Sequence, residues 1–155
     1  MRKFAALLVV SVAIMIVPAI AGDNGAVLRS KLERQRAVSS DPANTSSKRW
    51  KDVPGYTVVV CARRAISAHA FVNVTGAPVR FRFTLDSGAI FRPNAGRFDP
   101  RDGTRSFMLM GVQKAETFEG TDGHAVTLQW QSPTGDNVSL GRAIMNVLYQ
   151  KGSCP

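Results

Sequence analysis

The sequence predicts an all-β domain, an antiparallel β-sandwich of jelly-roll or Ig-like type with about seven or eight strands. Three observations carry that reading. From Tyr56 onward the apolar residues fall in short runs about ten residues apart, a spacing typical of sandwiches and barrels. The breaks between runs are rich in glycine, proline and aspartate, the residues that tolerate tight-turn geometry. No convincing helical period lies between the runs, so nothing supplies the crossover helices of a parallel sheet.

Taken in order, Tyr56 to Ala62 is valine-rich and Ala68 to Val74 alternates. Val79 to Leu85 alternates cleanly, with Phe81, Phe83 and Leu85 on one face and Arg80, Arg82 and Thr84 on the other, as expected of a strand with one wet side. Ala89 to Arg92 reads as a short returning strand, and Ser106 to Val112 follows. His124 to Gln131 places Val126, Leu128 and Trp130 together, and the turn Ser132 to Asn137 leads to a long closing strand, Ala143 to Gln150. This ending, Gly-His-x-Val-x-Leu-x-Trp and then a glycine-bearing turn and an apolar strand, resembles that of many exported bacterial and phage sandwich domains. The resemblance is to an architecture and implies no activity.

The amino terminus reads as a signal peptide over residues 1–21. Arg2 and Lys3 form a positive start, Phe4 to Val17 an apolar run, and Pro18-Ala19-Ile20-Ala21 a small-residue exit, with cleavage expected after Ala21. An uncleaved anchor is the alternative, but the run is borderline in length. After cleavage no segment is apolar enough to span a membrane, so the expected location is secreted or periplasmic. Residues 22–52 are polar and read as a flexible tail, with at most a short basic helix over Ala26 to Val38, while residues 53–155 form the sandwich domain. The run Lys48-Arg49-Trp50-Lys51 at the end of the tail is a solvated charge run, a dibasic processing site or a small cationic and aromatic patch.

Twenty Lys and Arg against eleven Asp and Glu give a formal charge of +9, which falls to +7 when Arg2 and Lys3 leave with the signal. Such a chain associates with anionic surfaces without specifying which. The two cysteines, Cys61 and Cys154, are expected to form one disulfide in an oxidising compartment.

One motif carries enzyme chemistry. Asp86-Ser87-Gly88, between Leu85 and Ala89, is similar to the catalytic triplet of aspartic proteases, especially the retroviral-like ones. One copy implies a homodimer, because the chemistry needs two aspartates sharing a proton. Leu109-Met110-Gly111 superficially matches the family's downstream apolar-apolar-Gly segment. Only 25 positions separate Asp86 from Gly111, too few for that fold's flap and strands, and a hairpin turn explains the triplet more simply.

His69 and His124 are the only histidines, and no zinc-ligand spacing or Gly-x-Ser-x-Gly elbow is present. The Asp99 to Gly103 loop lacks the ligand density of a calcium site. No metal or cofactor is expected, and no nucleic-acid recognition motif is present. Asn44, Asn73 and Asn137 begin glycosylation acceptor patterns, relevant only in a eukaryotic secretory pathway.

Ligand-binding candidates are Arg63, Arg80 and Arg82, able to form one cationic patch if their strands are neighbours, and Trp130 as a stacking aromatic if it is open to solvent. The expected function is a small secreted binding or interaction module for an anionic or carbohydrate-type surface, such as an anionic polysaccharide or envelope component, or for a host or other partner protein. The alternatives are a self-assembling structural secreted protein and the dimeric protease using Asp86.

Overall fold

A computed structural model describes residues 32–86, 88–93, 96–100, 103–113 and 123–152, except the side chains of 63–65. Among them are ten strands: β1 (Leu32–Ser39), β2 (Ala43–Thr45), β3 (Lys51–Val60), β4 (Ala62–Gly76), β5 (Val79–Leu85), β6 (Ala89–Ile90), β7 (Arg97–Phe98), β8 (Arg105–Gln113), β9 (His124–Gln131) and β10 (Val138–Lys151). They form two five-stranded antiparallel sheets packed together. The first runs β1-β10-β4-β8, with β2 also on β10; the second runs β3-β9-β5-β6, with β7 also on β5. This is the expected β-sandwich.

Alternation along the strands builds the core. Ile66, Ala68, Ala70, Val72 and Val74 of β4 and Met145, Val147 and Tyr149 of β10 turn inward from one sheet. Phe81, Phe83 and Leu85 of β5 and Val126, Leu128 and Trp130 of β9 turn inward from the other. Phe91, Phe98 and Phe107 continue the packing toward β8: Phe91 lies edge-on to Phe83 at 6.0 Å, and Phe98 meets Phe107 at 4.5 Å between ring centroids. The chain changes sheet at Cys61, between β3 and β4.

The tail expected over residues 22–52 is corrected by the structure from Leu32 onward. The sandwich begins no later than β1, which pairs with β10 in continuous register from Leu32 opposite Gln150 to Ser39 opposite Ala143. Only Ala37 of β1 is buried. Backbone pairing to β10, not an apolar stripe, defines this edge strand, and hydropathy is silent about such a segment. Within the same expected tail, Ser39 to Ser47 holds the end of β1, the β1–β2 turn and β2 itself. The expected signal peptide and residues 22–31 lie outside the described residues. Among the described residues no helix is long and apolar enough to cross a membrane.

Candidate functional site

The outer face of the second sheet gathers arginine. Phe81 and Phe83 point into the core, so Arg80 and Arg82 between them point out. Arg82 stands opposite Gln129 of β9, which stands opposite Asp52 of β3. The Arg82 Nε donates to Gln129 Oε1 at 2.8 Å, and Gln129 Nε2 donates to Asp52 Oδ1 at 2.7 Å. Above this row the Arg82 guanidinium lies 4.3 Å from the centroid of the Trp50 ring, within cation–π range. Partial burial lowers the Arg82 pKa from its ordinary value, and the group stays a cation at any physiological pH.

Two further arginines adjoin it. Exposed Arg80 lies directly opposite exposed Arg97 of β7, a like-charge cross-strand pair that costs a few tenths of a kcal/mol or more. Among the described residues none of Arg80, Arg82 and Arg97 forms an ion pair with a carboxylate. Three guanidiniums thus share one face, one of them fixed in orientation, and among the described residues none is ion-paired to an acid.

The other candidates are placed differently. Arg63 lies in β4, in the opposite sheet from Arg80 and Arg82, and its side chain is outside the described residues. The three therefore do not share a sheet face. Trp130 is corrected from a possible ligand platform to a core residue: it is 1% exposed and stacks on Phe81 at 6.3 Å. Tyr149 is likewise buried, and its hydroxyl donates to Glu33. The aromatic beside Arg82 on this face is half-buried Trp50. Gln129 and Asp52 escaped the sequence reading, although inward Leu128 and Trp130 already require Gln129 to face outward with Arg82. Arg97 had no signal, since a two-residue strand shows no period.

Asp86 sits in a three-residue hairpin loop between paired Leu85 and Ala89, with φ at 48° and the Gly88 N–H donating to the Leu85 carbonyl at 3.0 Å. Its Oδ1 accepts the Ala125 N–H at 2.8 Å, its Oδ2 lies 2.8 Å from His124 Nδ1, and its own N–H donates to the Ala125 carbonyl at 2.9 Å. The carboxylate ties the β5–β6 hairpin to the start of β9. Gly111 is explained by packing: a Cβ there would fall 2.8 Å from Phe91 Cβ.

No group of His, Cys, Asp or Glu among the described residues could hold a metal ion. Two of the acceptor-pattern asparagines bind serine hydroxyls: Asn44 Oδ1 accepts from Ser139 at 2.6 Å, and Asn73 Oδ1 from Ser106 at 2.9 Å. Asn137 lies exposed before β10. Cys61, which is not free, accepts the Gly152 N–H on its carbonyl at 2.7 Å; Cys154 lies outside the described residues.

No protein-family model matches the chain, and no curated protein matches it either.

Proposed function

We propose that this protein is a small exported binding module that uses the outer face of the β3-β9-β5 sheet to hold a polyanionic partner, such as an acidic polysaccharide or another anionic envelope component. The observation that carries this reading is Arg82, fixed by Gln129 and Trp50 beside the like-charge pair Arg80 and Arg97. Holding a guanidinium in place before the ligand arrives reduces the ordering cost of binding. Clustering like charge around it is unfavourable until an anion arrives. The cluster suits a chain of repeated charges better than a single ion, because residues two apart on a strand stand roughly 7 Å from one another. The expected signal peptide, the basic charge and a Cys61–Cys154 disulfide belong to the same reading. The hydrogen bond from Gly152 to Cys61 supports the disulfide by bringing the chain to Cys61 two residues before Cys154.

The test is titration of the mature protein with dextran sulfate, with a polyuronate and with neutral dextran, at rising salt. The sulfated or carboxylated polymer is expected to bind, neutral dextran is not, and affinity falls with salt. Arg80→Ala with Arg97→Ala should weaken binding at least tenfold, whereas Arg105→Ala on the other sheet should change it less than twofold. Equal losses from both would reduce the effect to net charge and remove the proposed site.

A further inference from the structure

The other sheet presents a different surface. Its outer face carries an apolar row that crosses all four strands of the β1-β10-β4-β8 order, Val38 opposite Ile144, Ile144 opposite Phe71 and Phe71 opposite Met108. The row ends on β8, where Met108 is 69% and Met110 52% exposed. Apolar side chains scattered singly on a surface need no explanation; a contiguous row ending at a strand edge does.

That edge is open. Val112 exchanges both backbone hydrogen bonds with Arg92, at 2.8 and 3.0 Å, on the side of β8 away from β4. Hydrogen-bonding direction alternates along a strand, and β8 pairs with β4 without a register shift from Arg105 to Gln113. The N–H and C=O groups of Ser106, Met108 and Met110 therefore point the same way as those of Val112. Among the described residues none of these three has a backbone partner on that side. Sandwich proteins commonly blunt such edges with lysine, proline, an inward charge or a bulge. The segment Ser106 to Val112, Ser-Phe-Met-Leu-Met-Gly-Val, has neither charge nor proline.

Charge selects the occupant. Exposed Arg105 stands at one end of the open stretch and exposed Arg92 at the other. A second copy added antiparallel across a two-fold axis would set Arg105 of each copy beside Arg92 of the other, and both copies are strongly basic. A strand from another protein with acidic residues at its ends meets neither objection. We propose that the free edge of β8 takes up an extended segment of a partner protein, apolar at alternate positions and acidic at both ends, as an added strand of the sheet. Main-chain hydrogen bonds to Ser106, Met108 and Met110 supply affinity, and the exposed Met108 and Met110 side chains and the two arginines supply selection. The site is on the opposite sheet from Arg80 and Arg82, so either proposal can fail without the other.

The probe is a fluorescein-labelled peptide, Glu-Glu-Thr-Val-Thr-Val-Thr-Val-Thr-Glu-Glu, followed by anisotropy against the whole protein, with the same core bearing lysine ends for comparison. The acidic-ended peptide should bind saturably, at least tenfold more tightly than the lysine-ended one. Met110→Pro removes an outward N–H without touching the β4 ladder, and should weaken binding tenfold or more. Met108→Asp, a surface change that leaves every backbone group in place, should do the same. Arg92→Glu with Arg105→Glu should reverse the preference between the peptides. Binding that is indifferent to end charge, or unchanged in Met110→Pro and Met108→Asp, overturns the proposal. So does a dimer in sedimentation that Met110→Pro abolishes, because the edge would then belong to a second copy.

Discussion

The hydroxyl of Tyr56 lies 2.9 Å from the carbonyl oxygen of Ala143, a buried hydrogen bond that joins the two sheets. The same hydroxyl is 3.0 Å from the Ser39 carbonyl and accepts the Ser39 N–H at 3.0 Å. Both strands are irregular at this point. The β3 register against β9 shifts between Asp52 and Thr57, and the β10 register against β4 shifts between Leu140 and Ala143. Gly55, at φ 78° in the β3 irregularity, supplies the left-handed backbone that a bulge of this kind demands. Tyr56→Phe keeps the ring and leaves three buried or half-buried backbone groups with one partner fewer, so it is expected to cost about 1–3 kcal/mol. Urea unfolding should show a lower midpoint at unchanged slope, with faster amide exchange in β1. A midpoint equal to the parent's would mean that water satisfies these groups and that Tyr56 does not hold the sheets together.

Gly111 is expected to be intolerant of a single methyl group. A Cβ there would stand 2.8 Å from Phe91 Cβ and 3.2 Å from the Phe83 ring, and Phe91, with 1% exposure, has little room to withdraw. Gly111→Ala should therefore destabilise by about 1–3 kcal/mol through overpacking. Met108→Ala on the opposite face of the same strand should stay within about 0.5 kcal/mol. Both are read from denaturant midpoints, and equal effects would show that the Phe91 contact is not what keeps position 111 a glycine.

The parts of the fold legible in the sequence are those where one face is buried. The sequence bounds His124 to Gln131 coincide with β9 and Val79 to Leu85 with β5, because Phe81, Phe83 and Leu85 against Arg80, Arg82 and Thr84 leave one choice of face. The same alternation already grouped Trp130 with Val126 and Leu128, so its burial was legible and its candidacy as a ligand platform was the weaker inference. Edge strands leave no such trace. β1 buries only Ala37 and is defined by hydrogen bonds to a partner more than a hundred residues away, which no local pattern encodes. The arginine cluster is half legible for the same reason: Arg80 and Arg82 follow from period two, whereas Trp50 joins them from the residue before β3 and Arg97 from a two-residue strand, and neither shows a period.

Glu33 makes the attachment of β1 sensitive to pH. Its carboxylate lies 2.9 Å from Lys151 Nζ and accepts the Tyr149 hydroxyl at 2.9 Å. The Lys151 hydrogen bond first and the Tyr149 hydroxyl second hold its pKa below the ordinary carboxylate value. A depressed folded-state pKa means a contribution present above the unfolded-state pKa and lost as the pH falls through the folded one. Lys151 is raised by the same hydrogen bond, so its contribution is complete below its unfolded-state pKa and fades as the pH rises through the folded one. Both groups are solvated, and the effect is local and small. Protection factors for the β1 amides should fall once the pH drops below the ordinary carboxylate pKa, and again at strongly alkaline pH, while those of β9 stay level. In Glu33→Gln the acid-side fall should vanish. If β1 in that variant keeps the parent's acid profile, another carboxylate governs the edge.

Pairing of Cys61 with Cys154 predicts a specific pattern of non-additivity. The two cysteines are 93 positions apart, and a cross-link closing a loop of that length stabilises by about 4–5 kcal/mol in the chain-entropy model. Cys61→Ser and Cys154→Ser each remove the whole cross-link, so the double variant should be no less stable than either single one by more than about 0.5 kcal/mol. Two unconnected cysteines would instead give additive losses. Intact mass supplies the covalent half of the argument, since two alkyl groups should be gained only after reduction. Alkylation before reduction, or a double variant that loses the sum of the single losses, would show that no cross-link joins Cys61 to Cys154.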